Sequence, residues 1–405
     1  QGHADRSSRV GAAGGPAPAA AAPAPSLADL VAASGLQRVH MLAWRDLDDP
    51  EAGGSELHAD KVAGAWAAAG LEVSLRTAVA PGHPERTSRN GYHVIRKAGR
   101  YAVFPRTAVS GALGRGGPWD GLVEIWNGMP FFSPLWARCP RIVFLHHVHA
   151  EMWRMVLPPR LARLGERIEF RLAPPVYRRS RVVTLSESSK REIVELLGLP
   201  ERTITVSPPG VDPSFSPGGA RSPHPLVVAV GRLVPVKRFH LLVDALVRLK
   251  AEHPTLEAVV VGEGYERQAL EARLRAGGAT GWLHLPGRVG DAELLDLYRR
   301  AWVLASSSAR EGWGMTITEA AACGTPAVAT RIAGHSDAVV PGRTGLLVDD
   351  PADLTRALSA VLTDPALRHR LTQGALAHAA AFTWERTARV TFQALAEAAR
   401  RRRPR

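Results

Sequence analysis

The stretch that decides the fold is Leu226-Val-Val-Ala-Val-Gly-Arg-Leu-Val-Pro-Val-Lys-Arg-Phe239, near the middle of the chain. It opens with the apolar run Leu226–Val230, and amphipathic helical spacing begins at Phe239. A short apolar strand, a turn and a helix form the repeating unit of a parallel sheet. The stretch therefore predicts one strand–turn–helix unit of an α/β fold.

The same unit recurs on both sides of this stretch. The predicted strands are Val39–Trp44, Glu72–Thr77, His93–Arg96, Leu122–Trp126, Ile142–His146, Val182–Leu185, Leu226–Val230, Glu257–Val261, Leu283–Leu285, Trp302–Ala305, Ala327–Thr330 and Gly345–Val348. The predicted helices are Ser55–Ala69, Ser188–Leu197, Phe239–Glu252, Glu266–Ala276, Asp291–Arg300, Thr316–Cys323 and Pro351–Leu362. Such alternation indicates parallel sheets covered by helices on both faces. Two series of similar length predict two Rossmann-like domains that face each other across a cleft.

Composition shifts divide the chain into parts. Residues 1–36 are rich in alanine and proline, and we expect a disordered tail that does not pack. Residues 37–206 and 207–382 form the two predicted domains, and the second opens with a proline-rich stretch typical of a linker. A last helix over 383–399 and a basic tail over 400–405 complete the chain.

The overall composition excludes several classes of protein. The chain has 405 residues, 45% of them hydrophobic, which is ordinary for packed domains. Its two cysteines cannot form a disulfide framework or a four-cysteine zinc site. No run approaches the ~20 apolar residues that span a bilayer, and Pro16–Pro25 lacks the leucine-rich centre of a secretion signal. We therefore expect a soluble protein of a reducing compartment, the cytoplasm.

Positive charge is concentrated in two places. The formal net charge is +13, and arginines crowd the last six residues and the segment between Arg141 and Arg181. No nucleic-acid-binding signature accompanies them, so we expect no nucleic-acid partner. A solvated surface is the simpler interpretation, and a peripheral contact with the inner face of a membrane stays open.

The most informative motif is Glu311-Gly-Trp-Gly-Met-Thr-Ile-Thr-Glu319, which follows a predicted buried strand and opens a helix. Its glycines permit close approach of a ligand to the backbone, and a helix start suits a phosphate group. Carboxylates accept hydrogen bonds from the diols of ribose and hexose, so the pair suits a sugar nucleotide. Glu319 has a second interpretation, because Thr316 and Glu319 also fit a capping box.

Basic residues follow the strand Leu226–Val230. Arg232 supplies a planar fork and Lys237 a point charge, a combination suited to a diphosphate. Lysine is rare in this chain, which makes Lys237 more informative than usual. A pair of exposed surface bases is the alternative.

Three further segments follow predicted strands, two of them in the first domain and one in the second. Gly53 and Gly54 precede a helix and would admit a phosphate, with Ser55 as the helix cap. The nearby Asp46-Leu-Asp48 resembles a metal-binding pair, but one such pair in an acidic loop is common. Gly262-Glu-Gly264-Tyr-Glu-Arg267 lacks the third glycine of a dinucleotide fingerprint, which argues against a nicotinamide site.

Three histidines end the predicted strand Ile142–His146. His146, His147 and His149 bring no helical His-Glu-x-x-His motif or accompanying carboxylate, so we expect no metal site. One of them lining the cleft beside a reacting sugar is the favoured interpretation, and packing is the role left for the others.

Together these motifs resemble the retaining glycosyltransferases of family four, which have the GT-B fold of two Rossmann-like domains. The resemblance runs from about Arg38 to Phe392 and rests on the Glu311/Glu319 pair joined to Gly231–Lys237. It makes the first domain the acceptor domain and the second the donor domain. Phe382-Thr-Trp-Glu385 matches the start of the helix that crosses back to the first domain in this fold.

The resemblance also implies roles for individual residues. Glu311 would contact the transferred hexose and Glu319 the ribose, while Arg232 and Lys237 would hold the diphosphate. The active-site histidine maps to His146 or His147. The implied donor-binding residues are Gly53, Gly54, Arg232, Lys237, Arg288, Val289, Glu311, Gly312, Trp313, Gly314, Met315, Thr316 and Glu319.

The implied reaction moves a hexose from a nucleoside diphosphate sugar, UDP more than GDP, to a hydroxyl acceptor. It retains the anomeric configuration by a front-face route and needs no metal and no cofactor. The acceptor is a small molecule, a lipid-linked molecule or a glycan. A GT-B sugar-nucleotide epimerase and a non-catalytic nucleotide-binding protein are the alternatives.

Overall fold

A computed structural model describes residues 25–115 and 117–402. The strands are β1 Arg38–Leu42, β2 Glu72–Thr77, β3 Arg86–Arg89, β4 Tyr92–Arg96, β5 Gly121–Ile125, β6 Arg141–Phe144, β7 Arg181–Thr184, β8 Ile204–Val206, β9 Leu226–Val230, β10 Glu257–Val261, β11 Leu283–Gly287, β12 Val303–Ser306, β13 Ala327–Thr330 and β14 Gly345–Val348. The helices are α1 Leu27–Ser34, α2 Gly54–Ala68, α3 Val103–Ala112, α4 Ser133–Trp136, α5 Met152–Val156, α6 Pro159–Arg167, α7 Ala173–Tyr177, α8 Glu187–Leu197, α9 Phe239–Glu252, α10 Arg267–Ala276, α11 Asp291–Arg300, α12 Met315–Ala322, α13 His335–Ala338, α14 Leu354–Thr363, α15 Pro365–Ala379 and α16 Trp384–Arg402. A π-helical turn at Ile168–Leu172 joins α6 to α7.

The strands form two separate sheets. The first has the order β3-β4-β2-β1-β5-β6-β7-β8, and the second has the order β11-β10-β9-β12-β13-β14. All neighbours are parallel except β3 and β4. In the first sheet, strands that follow β1 in the chain lie on both sides of it, and in the second sheet the same is true of β9. The direction in which successive strands are added therefore reverses beside these two strands. Ligands of such sheets bind at this reversal, outside the carboxyl ends of the strands.

The central strands are apolar because helices cover both faces of each sheet. In β9, Leu226 to Ala229 are all buried, and β5 is buried along its whole length. Helices α9 and α14 pack on one face of the second sheet, with Leu246 and Leu358 in its core. These two cores hold the loops at the strand ends in fixed positions.

Helix α16 belongs to the first domain although it ends the chain. The Trp66 indole of α2 donates to the Ala388 carbonyl of α16 at 2.9 Å, and its ring meets Phe392 edge-on. Gly210 lies directly against the backbone of Trp384, where a side chain would not fit. The helix thus connects the second domain back to the first.

The structure corrects the prediction that residues 1–36 do not pack. Residues 27–34 form α1, whose N-cap Ser26 accepts a hydrogen bond from the Asp29 amide at 3.2 Å. Val31 and Leu36 are buried in the core of the first domain. Alanine and proline dominate the composition of this region, and the apolar spacing of a single short helix was missed. Residues 1–24 and 403–405 lie outside the described part of the chain.

Strands β3 and β8 were also not predicted from the sequence. Residues 86–89 are Arg-Thr-Ser-Arg, a polar edge strand without the apolar pattern of a core strand. β8 is three residues long and lies just before the linker. Across the described residues, no helix is both long and apolar enough to cross a bilayer.

Candidate active site

The loops that follow β1, β6, β9 and β12 meet between the two domains. The first two come from one sheet and the last two from the other, so the carboxyl ends of both sheets face the same cleft. The cleft is closed: a side chain on Gly54 of the first domain would come within 3.1 Å of the Met315 sulfur. Elsewhere between the domains, a side chain on Gly312 would collide with the His146 carbonyl.

Glu311 and Lys237 form an ion pair at the centre of this cleft. The Ser308 hydroxyl donates to the same Glu311 oxygen at 2.8 Å. Burial alone would raise the pKa of Glu311, but Lys237, His335 and the Ser308 hydrogen bond outweigh it and lower the pKa to about 2. Glu311 is therefore a fixed carboxylate at neutral pH, with a second oxygen available to accept from a hydroxyl group.

Arg232 reaches across the cleft from the turn after β9. Its guanidinium donates to the Glu51 carbonyl at 3.3 Å and lies within 3.5 Å of the side-chain position at Gly53. Burial and then the neighbouring Arg45 lower the pKa of Arg232. Both predicted diphosphate-binding cations thus lie in the cleft, one beside Glu311 and one beside Gly53. Neither residue is an exposed surface base, so the alternative interpretation is wrong.

Gly53, the N-cap of α2, is held by Glu56, and the predicted Ser55 cap is not present. The Gly53 amide donates to the Glu56 carboxylate at 2.8 Å, and this carboxylate also lies 3.4 Å from Arg45. A glutamate in the first turn can satisfy a free amide of the helix start. In this state the Gly53 amide is engaged, and a phosphate would have to displace Glu56 to reach it.

The Glu311–Glu319 segment forms the turn into α12. Gly314 adopts φ +109°, which favours glycine. The first amides of α12, including Met315 and Thr316, have no partner within the helix. The side chain of Trp313 is buried and meets Phe382 edge-on, so its indole packs within the second domain.

Glu319 is not a helix cap. α12 begins at Met315 without a side-chain cap, and Glu319 instead accepts a hydrogen bond from the Tyr298 hydroxyl at 3.0 Å. Burial raises the pKa of Glu319 to about 7, and the carboxylates of Asp212 and Asp291 add to the effect. The capping-box interpretation is therefore wrong, and the carboxyl group remains available for a ligand.

The structure separates the two candidate histidines. His146 packs inside the first domain, its Nε2 3.3 Å from Nδ1 of His58. His147 stacks on His149, and its charged neighbours are Arg310, Glu311 and Arg232. Burial lowers the pKa of both to about 3, so both rings are neutral near pH 7. His147 is the one that belongs to the cleft.

Arg288 and Val289 follow the end of β11 at the rim of the second domain. The Gly262 amide donates to the Gly287 carbonyl at 2.8 Å, which fixes this loop beside the turn after β10. Arg288 is exposed and its guanidinium donates to the Pro50 carbonyl of the first domain. Val289 is half-buried in the apolar core of the second domain. Of the two residues, Arg288 is thus the one whose contact reaches the first domain.

The sequence did not indicate a role for Arg310, which precedes Glu311. Its Nε donates to the Val148 carbonyl at 2.6 Å, and its other nitrogens pair with Glu151 at 3.0 Å and Glu192 at 2.9 Å. All three partners belong to the first domain. Because the chain contains many arginines, no local sequence pattern distinguishes Arg310 from an arginine on the surface.

The described part of the chain contains no cluster of side chains suited to bind a metal ion. No group of three or more His, Cys, Asp or Glu side chains there is arranged to hold an ion. Asp46 and Asp48, the pair that resembles a metal motif, both accept from the buried Arg96. Their charges are matched by arginine.

Comparison with known proteins adds two family models and several relatives. The model of glycosyl transferases group 1 matches residues 212–378, and that of glycosyltransferase family 4 matches residues 52–215. A D-inositol 3-phosphate glycosyltransferase of Paenarthrobacter aurescens is 32% identical over 323 residues, 74% of each chain. Another, from Stackebrandtia nassauensis, is 37% identical over 250 residues, and the chain spans only 55% of its length.

A solved structure shows the same fold. Anabaena HepE in complex with UDP-glucose superimposes with a TM-score of 0.68 and 18% identity, covering 89% of this chain and 98% of that one. The predicted architecture of two Rossmann-like domains with the GT-B arrangement is thus confirmed.

Proposed function

Because the chain belongs to the group 1, family 4 glycosyltransferases, we propose that it transfers a sugar from a nucleoside diphosphate sugar to an acceptor hydroxyl. The observation that carries the proposal is the meeting of Arg232, Lys237 and Glu311 in the closed cleft. Two cations suit a diphosphate, and an ionised carboxylate beside them suits the hydroxyl groups of the attached sugar. The named activity of the relatives supports the same reaction class.

We propose that the donor diphosphate replaces Glu311 as the partner of Lys237. The ammonium and the Arg232 guanidinium would then stabilise the charge that grows on the leaving diphosphate. Preorganised charge of this kind is worth ~3 kcal/mol per donor group in the transition state. The released Glu311 carboxylate would accept from the hexose, while Glu319 accepts from the ribose.

A retaining front-face route is the proposed mechanism. The leaving phosphate oxygen would take the proton of the acceptor hydroxyl on the same face from which the acceptor attacks. His147 is neutral and cannot supply positive charge to the sugar. It would serve as a polar neighbour of the reacting carbon. Because Arg232 and Lys237 supply the positive charge, the step as proposed needs no divalent metal.

UDP is the proposed carrier and a hexose the proposed sugar. HepE was crystallised with UDP-glucose, and it shares the fold. The acceptor is proposed to be a hydroxyl-bearing small molecule, lipid-linked molecule or glycan that binds the first domain. A cytoplasmic location is proposed from the low cysteine content, two in 405 residues.

A thermal-shift panel of UDP- and GDP-sugars tests the donor. A bound donor at about 100 times its Kd would add ~2.7 kcal/mol to the free energy of unfolding. We expect one UDP-hexose to give the largest rise in Tm, with and without EDTA. Absence of a shift with every sugar nucleotide would contradict the proposal. An epimer formed from donor alone would identify an epimerase instead.

A further inference from the structure

The segment 152–172 of the first domain has an unusual surface and is called the docking surface below. It comprises α5, α6 and the π-helical turn. Twelve large apolar side chains are exposed among the described residues, and five of them lie in this segment. These five are Met155, Val156, Leu161, Leu164 and Leu172.

Unpaired positive charge surrounds these apolar side chains. Arg160, Arg163, Arg167 and Arg171 are exposed, and none forms an ion pair within the described chain. The acidic groups nearby are already engaged. Glu166 pairs with Arg154 at 2.6 Å, and Glu169 is buried.

The arginines and leucines share the outward face of α6. Residues three or four apart lie on the same side of a helix, which groups Arg160 with Leu164 and Arg167. Leu161 lies next to Leu164 on this face, while Ala162 and Gly165 point inward and are buried. On the exposed side of α6 the leucines therefore form one stripe and the arginines a neighbouring stripe. This is the amphipathic arrangement of helices that lie in the plane of a membrane interface.

The backing of this surface is rigid. Buried Glu169 accepts from the His149 amide at 2.7 Å, the Ala150 amide at 3.0 Å and the Trp153 indole at 2.9 Å. The indole of Trp153 fills the space beside Gly165, where no side chain would fit. The exposed leucines therefore belong to a fixed structure rather than to a loose loop.

The docking surface also lies beside the mouth of the cleft. It begins three residues after His149, and α5 packs against residues 235–237 of the second domain, which include Lys237. A flat partner seated on this surface would border the entrance to the candidate active site.

We propose that the docking surface binds the anionic surface of a lipid bilayer. An anionic leaflet attracts clustered arginines, and the exposed leucines beside them can enter the boundary of the acyl chains. A protein partner would have to place a carboxylate opposite each of four arginines, whereas lipid headgroups rearrange to meet them. The proposal does not rest on the sugar-transfer reaction, because binding to vesicles needs neither donor nor acceptor.

Sedimentation with vesicles tests the proposal. The full chain is mixed with vesicles of phosphatidylcholine alone or of phosphatidylcholine and phosphatidylglycerol. We expect binding to the anionic vesicles only, weakened by salt. The double variants Arg160→Glu/Arg167→Glu and Leu161→Ser/Leu164→Ser should each lower the partition coefficient about tenfold or more. All four positions are exposed, and circular dichroism with Tm confirms that each variant folds.

Matched control variants distinguish an effect of the docking surface from an effect of the protein's net charge or total exposed apolar area. Arg275→Glu/Arg370→Glu changes the charge equally on the second domain, and Leu113→Ser/Leu135→Ser removes exposed leucines elsewhere. Both controls should bind as the unmodified chain does. Equal loss in the arginine variant and its control, or no binding by the unmodified chain, would overturn the proposal. So would a dimer in light scattering that only Leu161→Ser/Leu164→Ser dissociates.

Discussion

Lys237 and Glu311 neutralise each other in the cleft, and this pairing sets how the site can respond to a ligand. A buried carboxylate that loses its paired cation is costly. Under the proposed function, a donor diphosphate can draw Lys237 away only if hydroxyl groups reach Glu311 at the same time. The pair therefore favours a ligand that carries both a diphosphate and a sugar.

Replacing Lys237 by alanine should lower turnover about 100-fold at saturating donor, because one charge-stabilising group of the transition state is lost. Binding of the free nucleoside diphosphate should weaken much less, since Arg232 remains. Steady-state kinetics and calorimetric titration measure the two effects. Lys190→Ala, which breaks an outlying pair with Glu201 at 3.1 Å, is the control. Unchanged turnover in Lys237→Ala would contradict the assigned role.

The carboxyl group of Glu319 should release protons when the donor binds. Its pKa is about 7 in the protein alone, so about half of the molecules carry the proton at pH 7. A ribose hydroxyl that donates to the carboxylate favours the charged form and lowers the pKa. Donor affinity should therefore rise with pH up to about 7 and level off above it.

Calorimetric titration in buffers of different ionisation enthalpy measures this release directly. We expect a fraction of a proton per donor at pH 7. Glu319→Gln has no titrating group and provides the control, with proton release close to that of the ligand alone. The same proton count in both proteins would show that Glu319 does not meet the ribose.

At the scale of elements, Arg310 couples the turn into α12 to the histidine loop after β6. It holds the Val148 carbonyl while Glu151 and Glu192 hold its other nitrogens. Because Glu311 is the next residue, a shift of Arg310 would move Glu311 relative to His147. Arg310 thus acts as a positioning residue between the two domains.

Arg310→Met should lower kcat/KM by about 10- to 100-fold, the range expected when hydrogen bonds to a charged group are lost. Most of the loss should appear in KM, because the closed cleft becomes less populated. Arg300→Met removes a surface pair within α11 and should leave the kinetics unchanged. Equal kcat/KM in Arg310→Met and the unmodified chain would show that the contacts of Arg310 with the first domain do not position Glu311.

The buried histidines at the end of β6 should make the first domain sensitive to acid. The pKa of His146 is about 3 in the folded state and 6.5 in the unfolded state. Below pH 6.5 the unfolded chain binds a proton that the folded chain does not, so stability falls with falling pH. At pH 5 this single group accounts for ~2 kcal/mol of lost stability.

Urea unfolding at pH 5 and pH 7 measures the effect, and His146→Asn isolates it. The midpoint difference between the two pH values should be smaller in the variant. Buried carboxylates with raised pKa values, such as Glu124 and Glu169, act in the opposite direction but are common to both proteins. An unchanged midpoint difference in His146→Asn would contradict the prediction.

The sequence predicted best those strands that form short apolar runs. Strands β9, β10 and β13 agree with their predicted bounds to the residue, because a central parallel strand is covered on both faces and is mostly apolar. β3 and α1 were not predicted, because each is stabilised by an element that packs against it and not by its own sequence pattern. The polar strand β3 exists because β4 offers it a hydrogen-bonding edge, and α1 exists because α16 covers it.

At the scale of the whole molecule, side chains from both domains close the cleft. Asp337 of the second domain accepts from the Glu187 amide at 3.1 Å and the Ser188 amide at 3.2 Å, the first turn of α8. Lys61 and Asp212 pair at 2.7 Å elsewhere between the domains. The positions of the predicted strand ends indicated which loops meet in the cleft. The hydrogen bonds between the domains could not be predicted, because partners such as Ser188 and Asp337 are 149 residues apart in the sequence.

Without donor, Asp337→Ala should open the cleft, and added donor should still be able to close it. Losing a carboxylate that holds two backbone amides removes about 1.5–3 kcal/mol from the closed state, enough to raise the open fraction 10-fold or more. Small-angle scattering should show a larger radius of gyration in the variant, restored by the donor that the thermal-shift panel identifies. Asp353→Ala breaks a local pair with Arg356 inside the second domain and should scatter as the unmodified chain does. A radius of gyration unaffected by Asp337→Ala would show that other contacts, such as Arg310, suffice to hold the domains together.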